Sequence, residues 1–264
     1  MIARALAFVA LSAAAAAAQQ PDFRWEKALA AGSRVSLHNL NGEITVTPST
    51  TGKVEITGRR RGRGRSADDV TIEVVETPRG IIACSMFKGA DMECDEDGFR
   101  VHNDHRRGWR DNDDWDDAQI DMDVKLPKGM ELDAHAVSGD VSVVGAEGDV
   151  RVGSVSGDVR MERLRATSVK ATSVSGNVTV GVDALTGNGD LKFTSVSGNV
   201  TAELPASLDA DVRMRSVSGV LDSDFPLTLN GRMSRNRLEA RIGKGGRELE
   251  VTTVSGNVRL RSVK

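Results

Sequence analysis

The sequence predicts an all-β protein: a single-stranded β-solenoid (β-helix) of stacked rungs of about 20 residues, interrupted by one irregular acidic insert. The main observation is a recurring five-residue string, Val-Ser-Gly-Asp/Asn-Val. Its copies lie at 137–141, 155–159, 174–178, 196–200 and 254–258, with a degenerate copy at 217–221. Aromatic residues make up only 3% of the chain, which suits a core of stacked Val and Leu. A fixed repeat that contains a turn signal is typical of stacked, near-identical structural units.

The spacing of the repeat sets the size of a rung. Successive motif glycines from Gly139 to Gly219 are separated by 18, 19, 22 and 21 residues, and Gly219 and Gly256 by 37. The last interval is close to two ordinary ones, so we expect an additional rung near 234–238 that lacks the five-residue motif. A β-sandwich or a propeller is the alternative, although propeller blades need about 40 residues each.

Each position of the motif has an expected mechanical role. Gly supplies a positive φ that Val or Thr adopts only with strain, and Asp or Asn tolerates the neighbouring turn geometry. The expected turn glycines are Gly42, Gly139, Gly157, Gly176, Gly198, Gly219 and Gly256. We expect both motif valines to point inward, and residues two apart to share a face. The predicted inward pairs are Val141/Val143, Val150/Val152, Val159/Met161, Val178/Val180, Leu191/Phe193, Val212/Met214 and Leu249/Val251.

The N-terminus predicts export. Residues 1–18 combine Arg4, a short apolar run and a small-residue cleavage site, as in a secretory signal peptide. An uncleaved anchor is the alternative, but the run is short for a spanning helix. We therefore expect one β-solenoid domain over 19–264 with no later transmembrane segment, located in the periplasm or outside the cell. Within it, 19–126 is less regular and contains the insert, and 127–264 holds the regular repeats.

The N-terminal part shows the same β pattern. Residues 34–47 alternate polar and apolar side chains around an Asn41-Gly42 turn, which predicts strand, turn and strand. Residues 118–126 alternate in the same way. Upstream, Phe23 and Trp25 are expected to cover one end of the stack, because an open β edge invites association.

Cys84 and Cys94 are the only cysteines. In an exported protein, two cysteines close in sequence are expected to form a disulfide, here worth about 2–3 kcal/mol. The spacing is too long for a redox pair, and no further cysteine completes a thiolate metal site.

Two charged stretches stand outside the repeat. The arginine run at 59–65 is interpreted either as a contact for an anionic polymer or as a solvated loop. The acidic insert at 91–117 offers clustered carboxylates of the kind that Ca²⁺ prefers, at Asp111, Asp113, Asp114, Asp116 and Asp117. The cluster lacks the EF-hand spacing, so a loop is favoured and no cofactor is expected. His102 and His105 lack a third zinc ligand, and Trp109 and Trp115 either stack on a sugar or fold onto the sheets.

Several segments resemble the bacterial β-strand-repeat family of unknown function, whose members carry the provisional label of adhesins. The segments are Val35–Val46, Leu126–Leu132, the Ser-Gly-Asp/Asn repeats, Arg241–Gly246 and Thr253–Val258. The resemblance covers nearly the whole mature chain and implies no catalytic motif. The acidic insert and the cysteine pair depart from the family pattern.

These observations favour an exported, non-enzymatic scaffold or adhesin-like binding module, with a cell-envelope glycan or protein as partner. The net charge of -3 gives no general attraction to nucleic acid. One alternative is an envelope-stress sensor or regulatory partner that binds peptides or membrane-active agents. Another is a polysaccharide-active β-helix enzyme, but Asp140 and Asp158 occupy a turn slot that Asn fills elsewhere, which indicates turn geometry. A specific site is expected off the repeat, in the insert or the arginine run.

Overall fold

The structure is a computed structural model that describes residues 21–62, 68–88, 90–95, 98–101, 118–229 and 234–263. The described regular structure is β-strand, apart from one short 3₁₀ turn at 68–69. The strands are β1 (Phe23–Lys27), β2 (Arg34–Asn41), β3 (Ile44–Pro48), β4 (Val54–Arg61), β5 (Val70–Thr77), β6 (Gly80–Phe87), β7 (Met92–Asp95), β8 (Gly98–Val101), β9 (Gln119–Leu126), β10 (Glu131–Ser138), β11 (Val141–Val144), β12 (Val150–Ser156), β13 (Val159–Ala166), β14 (Val169–Ser175), β15 (Val178–Leu185), β16 (Leu191–Ser197), β17 (Val200–Pro205), β18 (Ala210–Ser218), β19 (Leu221–Ser223), β20 (Thr228–Leu229), β21 (Arg237–Ile242), β22 (Glu248–Ser255) and β23 (Val258–Val263).

Two large sheets contain all the strands except the β7–β8 hairpin. The first sheet has the order β1-β4-β9-β3-β11-β13-β15-β17-β23-β19, and the second β20-β21-β18-β22-β16-β14-β12-β10-β2-β6-β5. The central strands pair in parallel, whereas β1, β4, β5, β20 and β21 form antiparallel pairs near the sheet ends. The all-β prediction is confirmed, but the architecture is two large mixed sheets rather than a uniform single-stranded solenoid.

Each central repeat contributes one strand to each sheet. The chain passes from β10 in the second sheet to β11 in the first, returns to β12, and continues so to β17. The Ser-Gly-Asp/Asn segment lies where the chain leaves the second sheet, and we call this turn the corner. Strands of neighbouring rungs lie about 4.8 Å apart.

The order of the last rungs differs from the order of the sequence. Strands β22 and β23 lie between the β16–β17 rung and the β18–β19 rung. The expectation of a further rung without the motif near 234–238 is wrong. Strand β21 instead pairs antiparallel with β18 at the end of the second sheet. The long glycine interval therefore reflects a covering strand, because the exposed edge of a stack needs protection.

The corners stack glycine upon glycine. A Cβ atom added to Gly176 would lie 2.2 Å from the carbonyl oxygen of Gly157, and one added to Gly157 would lie 2.2 Å from that of Gly139. Positive φ, the expected reason for glycine, applies to Gly42, Gly139 and Gly256, with values of 124°, 154° and 153°. At Gly157, Gly176, Gly198 and Gly219 the expectation is wrong, because only the close approach of the next corner excludes a side chain there.

A buried hydroxyl ties five of the corners to a neighbouring rung. The Ser173 Oγ donates a hydrogen bond of 2.9 Å to the Gly157 carbonyl, and the Ser195 Oγ donates one of 2.8 Å to the Gly176 carbonyl. Equivalent bonds run from Ser154 to Gly139, from Thr253 to Gly198 and from Ser216 to Gly256. These five hydroxyl residues are at most 5% exposed, so the bonds are shielded from water.

The acidic slot forms a second series of bonds along the corner. The Asp158 carboxylate accepts the backbone N–H of Asn177 at 2.7 Å, and the Asn177 side-chain oxygen accepts that of Asn199 at 3.0 Å. An Asp or an Asn oxygen serves equally as acceptor, which explains their interchange. Val220 ends the series: its N–H donates to Asn257 at 2.9 Å, and its side chain has no oxygen to offer.

The core consists of the predicted inward residues. All seven pairs, from Val141/Val143 to Leu249/Val251, are at most 1% exposed, so this alternation is confirmed. Burying each Val or Leu side chain contributes roughly 1.5–3 kcal/mol. At the first sheet's end, Phe23 and Trp25 on β1 pack against this core, as expected for a cover.

The first valine of each motif points outward, which corrects the expectation that it points inward. Val155, Val174 and Val196 are 47%, 42% and 42% exposed. The preceding residue of each string, for example Ser173 before Val174, takes the inward position and makes the buried hydrogen bond.

The insert occupies the corner position of the first rung. Strands β6 and β9 pair with β2 and β3, so the connection from β6 to β9 takes the place of the glycine turn of other rungs, and its described part includes the β7–β8 hairpin. Part of the expected irregular insert is the regular β7–β8 hairpin. The disulfide between Cys84 and Cys94 joins the hairpin to β6, as predicted, inside a small apolar cluster with Ile82, Val75 and Met86.

Replacing Gly176 by Ala tests the close approach of the corners. The new methyl group overlaps the Gly157 carbonyl, and overpacking of this kind costs about 1–3 kcal/mol. Gly181→Ala is the matched control, because its Cβ would lie 3.6 Å from the nearest atom and should change stability by less than about 0.5 kcal/mol. Urea unfolding measures both, and equal losses would contradict the stacking account.

Replacing Ser173 by Ala tests the buried hydroxyl. The variant leaves the Gly157 carbonyl without its side-chain donor, which should lower the free energy of unfolding by about 1–2 kcal/mol. Ser175→Ala, at the exposed Ser of the same motif, should change it by less than about 0.5 kcal/mol. A larger loss at Ser175 than at Ser173 in thermal unfolding would refute the assignment.

Candidate functional site: the outer face of the second sheet

The outer face of the second sheet carries an exposed apolar row beside the corner, which we call the valine row. Its most exposed members lie on β12, β14, β16, β22 and β18. They are Val155, Val174, Val196, Val254 and Val217, with exposures of 47%, 42%, 42%, 44% and 68%. Leu40 and Val137 continue the row on β2 and β10, where they are half-buried. Seven rungs give the row a length of about 30 Å.

Two polar rows run parallel to the valine row on the same face, since every second residue of a strand points outward. The middle row contains His38, His135, Gly153, Thr172, Thr194, Thr252 and Arg215 in register. The far row, which we call the cation row, contains Ser36, Asp133, Arg151, Lys170, Lys192, Glu250 and Arg213.

The centre of the cation row is basic. Lys192 forms an ion pair of 2.7 Å with Glu250. Arg151 and Lys170 lie on adjacent strands, and within the described ranges neither forms an ion pair. The face therefore presents adjacent positive charges, although the chain has a formal net charge of -3.

One end of the valine row runs into a groove of about 430 Å³. The floor is made by Leu40, Val137 and Phe87, and Met92 of the hairpin and Gln119 of β9 also line it. The insert thus forms a wall at this end of the face. The groove can accept an apolar group without rearrangement of the sheet.

Two stacked histidines join the hairpin to the sheet. The ring centroids of His38 and His135 lie 5.9 Å apart with an interplanar angle of 10°. Each ring lies over a glycine: a Cβ on Gly98 would be 3.1 Å from the His38 ring, and one on Gly153 would be 2.6 Å from the His135 Nδ1. These glycines leave the space that the two rings fill.

The charges around the histidine pair are balanced. Burial and the neighbouring His135 lower the pKa of His38, while the Asp133 and Asp95 carboxylates oppose that shift. Burial alone would raise the pKa of Asp133, but its 2.7 Å contact with the His135 Nε2 and nearby positive charge hold that pKa below its ordinary value.

A second groove, of about 780 Å³, lies on the outer face of the first sheet. Here β13 bulges between Met161 and Leu164, and Arg163 has φ of 55°, which is uncommon for a residue other than glycine. Its lining mixes charges, including Arg160 and Glu162 with 3.8 Å between them. This groove has no regular row of side chains that are all apolar or all of one charge. The outer face of the second sheet is therefore the better candidate for a binding site.

The arginine run is partly engaged within the fold. Arg59, Arg60 and Arg61 end strand β4, and Arg59 and Arg61 pair with Asp123 and Asp121 of β9. The three residues thus belong to a strand and not to the expected loop, although the side chains of Arg59 and Arg61 are exposed to solvent. Arg63 and Arg65 lie outside the described residues.

Most candidates in the acidic insert lie outside the described residues. They are His102, His105, Trp109, Asp111, Asp113, Asp114, Trp115, Asp116 and Asp117. Among the residues that the structure describes, no group of three or more His, Cys, Asp or Glu side chains could hold a metal ion. The described part of the chain likewise contains no helix long and apolar enough to cross a bilayer.

The sequence interpretation expected binding through an exposed sheet face or the insert loop but did not identify the outer face of the second sheet, although its signal was present. Two positions before the motif serine, the chain has Ser or Thr at 154, 173, 195, 216 and 253. A repeated hydroxyl there indicates a buried hydrogen bond, and it places the intervening valine outside.

The fold and this face define an all-β repeat protein with a regular, extended outer surface. The chain belongs to the Toastrack DUF4097 family, whose model matches residues 32–181 and 75–261. The family resemblance seen in the sequence is thereby confirmed. No curated protein matches the chain significantly.

Three solved structures are similar at low identity. A "putative cell adhesion protein" from Clostridium sporogenes ATCC 15579 has a TM-score of 0.49 and 10% identity, over 92% of this chain and 100% of that one. A "putative adhesin" from Bacteroides fragilis NCTC 9343 has a TM-score of 0.42 and 12% identity, over 92% and 99%. A "putative adhesin" from Parabacteroides distasonis ATCC 8503 has a TM-score of 0.25 and 11% identity, over 90% of this chain and 96% of that one.

The histidine pair predicts an acid-sensitive fold. Because the pKa of His38 is lower in the folded chain than its ordinary value of 6.5, the unfolded chain binds more protons as the pH falls through that value. The free energy of unfolding then decreases. His38→Gln should reduce the fall in Tm between about pH 8 and pH 5, and an unchanged pH dependence would contradict this role.

Proposed function

We propose that this protein is an exported, non-enzymatic, adhesin-like binding module of the cell envelope. Its ligand binds on the outer face of the second sheet. The signal-like residues 1–18 support export, to the periplasm or the cell surface, with 19–264 acting as one binding domain. The partner is an envelope glycan or protein.

The observation that carries the proposal is the exposed valine row. A Val side chain left in water forgoes roughly 1.5 kcal/mol of burial, and contiguous apolar surface marks interaction sites or promotes aggregation. Strand formation alone does not require Val here, since the next row uses Thr172 and Thr194 at outward positions. Val recurs on five neighbouring rungs, which indicates a surface kept apolar for contact.

The engaged corner carboxylates support a non-enzymatic role. Asp140 and Asp158 each accept the backbone N–H of the next corner at 2.7 Å. These bonds give both groups a structural use, and their positions are filled by Asn in other rungs.

The test is binding of the purified chain to an array of cell-envelope glycans and to isolated envelope proteins. Val155→Thr, Val174→Thr and Val196→Thr together keep β-branched side chains but remove apolar surface, so we expect at least about a fivefold weaker affinity. Val220→Thr is the control, because Val220 is 65% exposed but lies outside the row. The proposal is wrong if the triple variant binds as tightly as the unmodified chain, or if the unmodified chain binds no envelope component.

A further inference from the structure

We propose that the face binds an acidic glycan strand that lies along the stack, across the strands. The contact is an array of three rows by three rungs on β12, β14 and β16. Its members are Arg151, Lys170 and Lys192 in the cation row, Thr172 and Thr194 in the middle row, and Val155, Val174 and Val196 in the valine row. The third middle-row position, Gly153, is buried under the His135 ring. This inference rests on the proposed function and names the class of its ligand.

The sign of the charge selects the ligand. Arg151 and Lys170 have no ion-pair partner among the described residues, and only Lys192 is paired, with Glu250. The other acid of the row, Asp133, contacts His135. Asp133 and Glu250 flank the array at its two ends, where Asp133 lies in register with Arg151 and interacts with it electrostatically. Three cations against two flanking carboxylates leave a net positive charge for an incoming carboxylate or phosphate.

The spacing of the charges favours a polymer over a small anion. The three cations lie in register on adjacent strands, and successive rungs are about 4.8 Å apart. A free phosphate would use one or two of them. A polymer with one acidic group on each sugar unit carries a series of negative charges along its length, and it can therefore contact more than one of these cations at once.

The two other rows match the rest of a sugar. Thr172 and Thr194 present hydroxyl groups, which donate or accept hydrogen bonds, next to the cations. Val174 and its neighbours present apolar surface to the C–H face of a pyranose ring. Passing from the corner outward, the array is apolar, then hydroxyl, then cationic.

The same rows argue against other polyanions. Single-stranded nucleic acid is held by base stacking on aromatic side chains, and the array has none. Binding to an anionic bilayer relies on large apolar side chains that enter the interface, whereas the valine side chains are short. Both remain as outcomes that the experiment must separate.

The experiment is calorimetric titration of the full chain with polygalacturonate, with dextran as neutral polymer. Vesicles of equal parts phosphatidylglycerol and phosphatidylcholine form the third arm. The test variant is Arg151→Gln, Lys170→Gln and Lys192→Gln together. The loss of three surface ion pairs with the ligand should weaken polygalacturonate binding about tenfold. Added salt should lower the affinity of the unmodified chain for polygalacturonate towards that of the variant.

The control variant carries Arg160→Gln, Arg165→Gln and Arg259→Gln on the outer face of the first sheet, where all three are exposed. It changes the net charge equally and should bind polygalacturonate like the unmodified chain. Equal melting temperatures establish that both variants are folded.

Four results overturn the inference. Equal binding of dextran, or an unchanged affinity of the test variant, excludes recognition through the cation row, but leaves the proposed function standing if the valine variant still loses envelope binding. Binding to vesicles without binding to polygalacturonate would show that the ligand is an anionic lipid surface and not an acidic glycan. Binding to none of the three excludes the acidic glycan, and the envelope array then decides the proposed function separately.

Discussion

The structure depends on one contact between rungs: a buried hydroxyl that donates to the carbonyl of the preceding corner glycine. The bond from Ser173 to Gly157 is 2.9 Å long, and it forms only because Gly176, three residues on, has no side chain to hold the corners apart. Together the hydroxyl and the glycine fix the register of each rung on the next. Since a slip of one residue would turn the core side chains outward, this register also keeps the apolar core inside.

The same register produces the outer face. When every rung repeats the position of its corner, the residues before the corner line up across strands. The valine row, the threonines and the cation row are consequences of that alignment. A binding surface of this kind tolerates different side chains on individual rungs, as His135 and Gly153 show near the hairpin. The β7–β8 hairpin, tied by its disulfide to β6, lies at one end of the face without interrupting the stack.

The sequence predicts the all-β class, the disulfide and the buried alternation, because each follows from local periodicity or from a single pair of residues. It misplaces the first motif valine because counting from the turn overlooks the recurring Ser or Thr, such as Ser173, that marks the inward position. The insertion of β22 between β16 and β18 depends on pairing between distant segments, and glycine spacing carries no information about it. The recurring hydroxyl indicates that the motif valine lies outside, but the neighbours of each rung, and hence the full outer face, follow only from the stacking.

Methyl-resolved NMR during titration with polygalacturonate tests most directly whether the aligned outer face is where ligand binds. The account predicts shifts for the methyl groups of Val155, Val174 and Val196. The inward methyl groups of Val159 and Val178, which are at most 1% exposed, should keep their positions. Shifts confined to the outer face of the first sheet, or the absence of any shift at saturating ligand, would contradict the account.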